Sequence, residues 1–408
     1  MVALIPVVSG LVGWGTNYLA IQMTFYPLEF KPWKVWQLEG SPFGLFGWQG
    51  IIPAKARKMT TTITLMCRDK LIDMKEVFAR LDPDVLAELM APEMRKASAR
   101  ALDESLTREL PRAWVPLPSL VKEQVVTYAT RDAAQFVRLM VREVGERLDD
   151  VFDILHLTVN KTDKNKGIIV HMFQETGARE FKFLVSSGLY FGLLLGVPQM
   201  VTYLYYQGDW VLPVAGFVVG YLTNFLALLL IFSPVRPWVL FGGRVRVQGV
   251  FLKRQAEASA RLAALSAHYF FRPADVWGEI LHGGRQEAMA RLLEDVTAAF
   301  MERHVRATVG GWAGAQALGP EAWARVRETS ARVIREALPD MLPLGYEYME
   351  QAMGAEETLR QGLQELPPEE FEGVLHPVFK EDEIKLILVG GFLGAIAGGL
   401  QVLLYRFV

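Results

Sequence analysis

Long apolar runs alternate with charged segments along this chain, and the runs predict its architecture. Residues 2–28, 183–208, 210–235 and 386–405 contain no Asp, Glu, Lys or Arg. Each is long enough, at about 20 residues, to cross a bilayer as a helix. Gly208 and Asp209 separate the middle two, which predicts a tight helical hairpin. The first run lacks the basic n-region and small-residue cleavage site of a signal peptide, so it reads as a retained span.

The charged segments follow a different rhythm. From Val121 onward, apolar residues recur at Val125, Tyr128, Phe136, Met140, Val144, Leu148, Val151 and Leu155. Gaps of three and four predict one long helix with a single apolar face. Ala288, Leu292, Val296, Ala299 and Phe300 repeat the pattern, as do Trp323, Val326, Val333 and Ile334. Pro53, Pro83 and Pro273 stand where a first-turn proline is tolerated, and Asp82 suits an N-cap. Pro111, Pro116 and Pro118 should break the first segment, and Gly283-Gly284 and Gly310-Gly311 the second. Strand-type alternation is absent over any useful length.

The chain also repeats itself. Gly13-Trp14-Gly15-Thr16-Asn17-Tyr18-Leu19-Ala20 returns as Gly220-Tyr221-Leu222-Thr223-Asn224-Phe225-Leu226-Ala227, offset by 207 residues. Phe25-Tyr26-Pro27 matches Phe232-Ser233-Pro234, and Pro32-Trp33 resembles Pro237-Trp238. Gln49-Gly50-Ile51 with Lys55 corresponds to Gln248-Gly249-Val250 with Lys253, although Leu252 replaces Pro53 and weakens the second turn. Gly188, Gly192, Gly196 and Gln199 reappear as Gly390, Gly394, Gly398 and Gln401. Each half therefore reads as span, charged segment, span, and two crossings per half make the repeats parallel. The expected fold is an all-α polytopic membrane protein with four transmembrane helices in two tandem parallel repeats. Its parts are spans at 1–28, 183–208, 210–235 and 386–408, with helical domains at 29–182 and 236–385.

Charge orients this plan. Lys31, Lys34, Lys55, Arg57 and Lys58 follow the first span, and Lys164, Lys166, Arg179 and Lys182 precede the second. Arg236, Arg244, Arg246, Lys253 and Arg254 follow the third, whereas the opposite side offers Arg406 and the amino terminus. The positive-inside rule then places both large segments in the cytoplasm and both termini outside the inner membrane. Over 408 residues the net charge is −2, which gives no global field to recruit nucleic acid. Hydrophobic residues make up 51%, in keeping with a partly embedded chain. The single Cys67 rules out an internal disulfide and CxxC chemistry.

The repeated Gly-aromatic-x-Thr-Asn-x-Leu-Ala motif, the Gln-Gly turn and the terminal Gly-x-x-x-Gly-x-x-x-Gly-x-x-Gln run together resemble the YheB-type bacterial membrane family. That family is a domain of unknown function (four-four-five). The resemblance covers nearly the whole chain. It implies a membrane-anchored helical protein and transfers no activity, cofactor or catalytic residue.

Thr16, Asn17, Thr223 and Asn224 lie near mid-span, where an unpaired amide costs a few kcal/mol. One reading is structural, each Asn bonding to another span. The other is a polar pocket between the halves for an ion or polar head group. No Asp, Glu, Lys, Arg or His accompanies the amides within the runs, which argues against a proton relay. Gln199 and Gln401 fall about 10 Å away in depth, as a second polar level. Gly188, Gly192, Gly196 and Gly390, Gly394, Gly398 form small-residue ridges for helix packing, within the chain or between chains.

The stretch from Phe43 to Ile52 is aromatic and too short to span, so it is either re-entrant or a loop beneath the spans. His268, His282 and His304 lack metal-ligand spacing, and no nucleophile motif is present, so neither metal nor enzymatic chemistry is expected. Glu369, Glu370, Glu372, Glu381, Asp382 and Glu383 read as solvated faces. The expected function is a non-enzymatic membrane scaffold that contacts lipid and either itself or another membrane-associated protein. The alternative is a carrier or conduit for lipid or a small polar solute.

Overall fold

A computed structural model describes residues 2–32, 43–44, 47–206, 208–240, 245–306, 309–373 and 383–407. Trp33, Lys34, Leu45, Phe46, Arg244, Glu381 and Asp382, which figure in the expectations above, lie outside the described residues. The protein is all-α and about 85% helical.

The first half contains α1 (Ile5–Phe25), α2 (Ile51–Ala54), α3 (Ala56–Lys70), α4 (Met74–Ala79), α5 (Pro83–Glu109) and α6 (Pro111–Trp114). It continues through α7 (Ser119–Ala129), α8 (Ala133–Glu146), α9 (Leu148–Val151), α10 (Ile154–Lys164), α11 (Gly167–Thr176) and α12 (Ala178–Tyr205). The second half contains α13 (Val211–Phe232), α14 (Gln255–Phe270), α15 (Pro273–His282) and α16 (Gln286–Phe300). It ends with α17 (Val309–Met341), α18 (Tyr346–Met353), α19 (Ala355–Glu365) and α20 (Glu383–Phe407). Short antiparallel strand pairs occur at Lys31–Pro32, Phe43–Gly44 and Gly47–Trp48, and at Trp238–Leu240 with Val245–Val247.

Among the described residues, three helices are long and apolar enough to cross a membrane: Ala178–Tyr205, Val211–Phe232 and Glu383–Leu403. The 21-residue, charge-free α1 is not among them, since Ser9, Thr16, Asn17, Gln22 and Thr24 dilute its apolar character.

The chain forms two compact units, and each draws on both halves of the sequence. One comprises residues 1–71, 158–266 and 359–408; the other comprises 72–157 and 267–358.

In the first unit, α1 runs antiparallel along α12 and α13 runs antiparallel along α20. Glycines set these contacts. A Cβ on Gly13 would collide with the Gly188 carbonyl, one on Gly192 with Ser9, and one on Gly196 with Pro6. In the second pair, Gly220 meets Gly390, Gly216 meets Gly394, and Gly398 meets the Leu212 carbonyl. Both ridges therefore pair within the chain, where close backbone approach gains van der Waals contact that lipid does not supply.

The second unit centres on α5, α8, α16 and α17. Asp82 caps α5 by accepting from the Asp84 N–H at 2.8 Å, with Pro83 in the first turn. Leu86, Met90, Met94, Phe136, Met140, Val144, Leu292, Val296 and Val333 fill the interior. Each such side chain contributes about 1.5–3 kcal/mol on leaving water. Outside this core, Arg325 binds Glu109, Arg332 binds Glu104 and Arg100 binds Glu336, a ladder between α5 and α17.

Two helix expectations need correction. The helix predicted from Val121 to Leu155 is broken into several: α7 ends where the Thr130 hydroxyl and N–H both turn back to the Val126 carbonyl. From Phe136 to Val151 the predicted face is buried, but Leu155 is half-buried and Val125 and Tyr128 are exposed. In the second half, Gly310 and Gly311 lie inside α17, and its kink falls at Gly319, where φ is 76° and Pro320 follows. Gly283 does terminate α15.

Candidate functional site

The four polar residues of the duplicated motif occupy matching positions in the first unit. Thr16 and Thr223 are buried, and their hydroxyls donate to the Gly13 and Gly220 carbonyls, each at 3.1 Å. Both threonines are thus satisfied by their own helix. The asparagines reach across to the neighbouring one. Asn17 Nδ2 donates to the Leu184 carbonyl at 2.7 Å, and Asn224 Nδ2 donates to the Leu386 carbonyl at 2.9 Å. Each accepting carbonyl lies one helical turn before a ridge glycine, Gly188 or Gly390. A Cβ on either glycine would strike the asparagine amide.

The glutamine level is separate. Gln199 is buried and its Oε1 accepts from the Ser9 hydroxyl at 2.7 Å. Ser9 precedes Asn17 by eight residues, about 12 Å along α1. Gln401 is also buried.

The Gln-Gly turns dock on the ends of α1 and α13. Gln49 Nε2 donates to the Leu28 carbonyl at 2.7 Å, and the Gly50 N–H to the Pro27 carbonyl at 3.0 Å. Gln248 Nε2 donates to the Val235 carbonyl at 3.0 Å, and the Gly249 N–H to the Pro234 carbonyl at 3.0 Å. Leu252 in place of Pro53 leaves these bonds intact and substitutes a 3-10 turn, Leu252–Arg254, for α2. In the described part of the Phe43 to Ile52 stretch, Phe43–Gly44 and Gly47–Trp48 are strand and Ile51 and Ile52 open α2, with Trp48 Nε1 donating to the Tyr26 carbonyl at 3.0 Å.

A cavity of about 60 Å³ lies where the two helix pairs meet. Ala20 and Phe25 of α1, Phe181 and Leu184 of α12, Leu228 and Ile231 of α13, and Leu386 of α20 form much of its apolar wall. Asn224 is also at this wall; Thr16, Asn17, Thr223, Gln199 and Gln401 are not. The expected polar residues therefore do not converge on one chamber.

The structure adds a residue that the sequence reading missed. Glu180, in the first turn of α12, is 4% exposed and lines the same cavity. Its Oε1 accepts from Arg254 Nη1 at 2.6 Å. Arg254 also binds Glu257, whose carboxyl it holds below the usual carboxylate range, and Glu257 in turn binds Arg179. Glu180 sits three residues before the uncharged run that begins at Phe183, so a search confined to uncharged runs passes over it. The available signal is the helix itself, since continuing α12 back to Ala178 places Glu180 one turn before Leu184, the residue that receives Asn17.

Among the described residues, no group of three His, Cys, Asp or Glu side chains is placed to hold a metal ion. No protein-family model matches the chain, and no curated protein and no solved structure was found to be similar to it.

Proposed function

We propose that this protein is a non-enzymatic membrane scaffold that associates with a second copy of itself through the unit built around α5, α8, α16 and α17. The observation that carries this reading is the apolar face of α7. Val121, Val125 and Tyr128 share one face, with Tyr128 51% exposed; Leu120 near the start of the helix is 67% exposed, and no residue of α7 is buried. Val125 and Tyr128 also border an apolar groove of about 520 Å³ with Leu102, Leu106, Phe300 and Trp323. A helix that leaves such apolar side chains uncovered suits a helix-in-groove contact.

The anchor in this proposal has four spans, with α1 joining α12, α13 and α20 in two tandem parallel repeats. The matching Asn–carbonyl bonds and glycine contacts of the two antiparallel pairs support it. The basic residues flanking the runs support an inner-membrane orientation with large segments cytoplasmic and both termini outside. Kinship to the YheB-type family rests on the quoted motifs.

Native mass spectrometry of the full chain in mild detergent tests the function. The wild type should run as a dimer or higher oligomer, and Val125→Asp with Tyr128→Asp should run as a monomer. A lipid-free monomeric wild type would sink the scaffold reading. A wild-type monomer holding tightly bound lipid would favour the alternative, a carrier, to which the cavity between the helix pairs lends support.

A further inference from the structure

The helical hairpin of α12 and α13 holds a second opening, separate from the α7 face and from the cavity between the helix pairs. It is an apolar groove of about 450 Å³ that begins at Tyr206 and Trp210 and runs down to Leu195 and Leu222, with Val214 and Val218 along its side. Counted along α12 from Tyr206 to Leu195, it is about 16 Å long, roughly half of a ~30 Å hydrocarbon core. Both helices are long and apolar enough to cross a bilayer. Tyr206 and Trp210 are 59% and 60% exposed and meet edge to face, with ring centroids 5.7 Å apart. Such amphipathic rings sit at the head-group level of a membrane. The groove therefore matches the depth of one lipid leaflet.

One polar side chain stands in this apolar wall with a donor to spare. Gln199 is 6% exposed and lines the groove. Its Oε1 accepts from the Ser9 hydroxyl, which fixes Nε2 as the donor end of the amide. Nε2 makes no hydrogen bond among the described residues, and unlike the Oδ1 atoms of Asn17 and Asn224 it is not sealed off by its neighbours. Thr202, one turn nearer the mouth, is already satisfied: its hydroxyl donates to the Pro198 carbonyl at 2.9 Å.

Depth decides what kind of acceptor fits. Gln199 lies seven residues, about 10 Å, below Tyr206, where hydrocarbon offers an amide nothing to bond. A lone water would make one bond here and leave its others unmade. A neighbouring transmembrane helix spends its own carbonyls internally and needs small residues to come close, whereas Leu195, Val214 and Val218 border this groove. An acyl ester brings a neutral carbonyl together with the apolar chain that fills the rest.

We propose that the α12–α13 groove binds one diacyl glycerolipid, with an ester carbonyl accepting from Gln199 Nε2 and its acyl chain lying toward Leu195 and Leu222. The site rests on α12 and α13 crossing the bilayer and is independent of self-association through α7.

Native mass spectrometry of the full chain, titrated in mild detergent with dioleoyl phosphatidylglycerol or with its diether analogue, tests the proposal. The wild type should retain one diester lipid per chain and hold the diether about fivefold more weakly, the worth of one neutral hydrogen bond. Gln199→Leu should abolish that preference. Should this variant fail to fold, Ala215→Phe fills the groove from α13 while keeping Gln199, and it should lose the retained lipid. Equal retention of the two lipids by the wild type, an unchanged preference in Gln199→Leu, or unchanged retention in Ala215→Phe overturns the proposal. Lipid is counted per chain, so Val125→Asp with Tyr128→Asp should leave the count as it is. Alkaline carbonate extraction tests the anchor separately: protein that stays with the membrane yet binds both lipids alike overturns the site and leaves the anchor standing.

Discussion

Asn224 reaches the Leu386 carbonyl only because Gly390 has no side chain in its path. Asn17 stands in the same relation to Leu184 across Gly188. In each pair an inter-helical amide bond and a backbone-to-backbone glycine contact occupy the same turn of helix. The two contributions separate by mutation.

Replacing Asn17 and Asn224 by Leu removes the amide bonds and leaves the glycine contacts. Interhelical bonds of this kind contribute about 1 kcal/mol each in a membrane, so the double variant should lose about 2 kcal/mol. Thermal unfolding in detergent measures this. A double variant as stable as the parent would remove the structural role of the asparagines.

Replacing Gly188 or Gly390 by Val should cost more than either asparagine, about 1–3 kcal/mol or above, because the new side chain meets backbone and amide together. Gly399 provides the control. A Cβ there meets nothing within 4 Å, so Gly399→Ala should be neutral in the same assay. Equal losses at Gly390 and Gly399 would mean that helix contact is not set by the ridge.

The ladder between α5 and α17 predicts acid sensitivity. Arg332 holds the Glu104 and Glu336 carboxyls below the usual range, and Arg325 does the same for Glu109. The unfolded chain therefore takes up these protons first as pH falls. The stabilisation is complete above the ordinary glutamate value, about 4.3, and is lost as pH drops through the lower folded values. Glu104→Gln with Glu109→Gln should lower the melting temperature at pH 7 and flatten its decline below pH 4. A variant with the parent's acid profile would show that the ladder is not its source.

Cys67 offers a chemical check on α3. Burial pushes its thiol up to about 12. At pH 8 roughly one molecule in 10⁴ carries a thiolate, so reaction with a disulfide reagent should run at least about 100-fold slower than for free cysteine. Denaturant should restore the ordinary rate. Rapid labelling of the folded protein would show that the Cys67 thiol is not shielded by burial.

Much of the helical plan was legible from spacing alone. Pro83 and Pro273 start helices, Gly283 ends one, and the apolar positions from Phe136 to Val151 face inward, because turn chemistry and hydrophobic periodicity are both local properties. Non-local partners were not legible. Nothing in the sequence around Val125 distinguishes a covered face from an exposed one, and the stop at Thr130 depends on a hydroxyl that could equally have bonded elsewhere. Glu180 was hidden for a related reason. It looks like a flanking surface charge until Arg254, 74 residues onward, comes to lie beside it.

The interleaving of the two units has a consequence for biosynthesis. One unit requires residues up to 358 and the other requires residues beyond 359, so neither can close while the ribosome has made only half of the chain. A nascent polypeptide stopped near Gly208 holds α5 and α8 without α16 and α17, and α12 without α13. Its exposed leucines and methionines would need shelter from insertion factors or chaperones until the second half arrives. Pulse-labelled truncations that end before residue 358, which complete neither unit, should therefore be degraded rapidly.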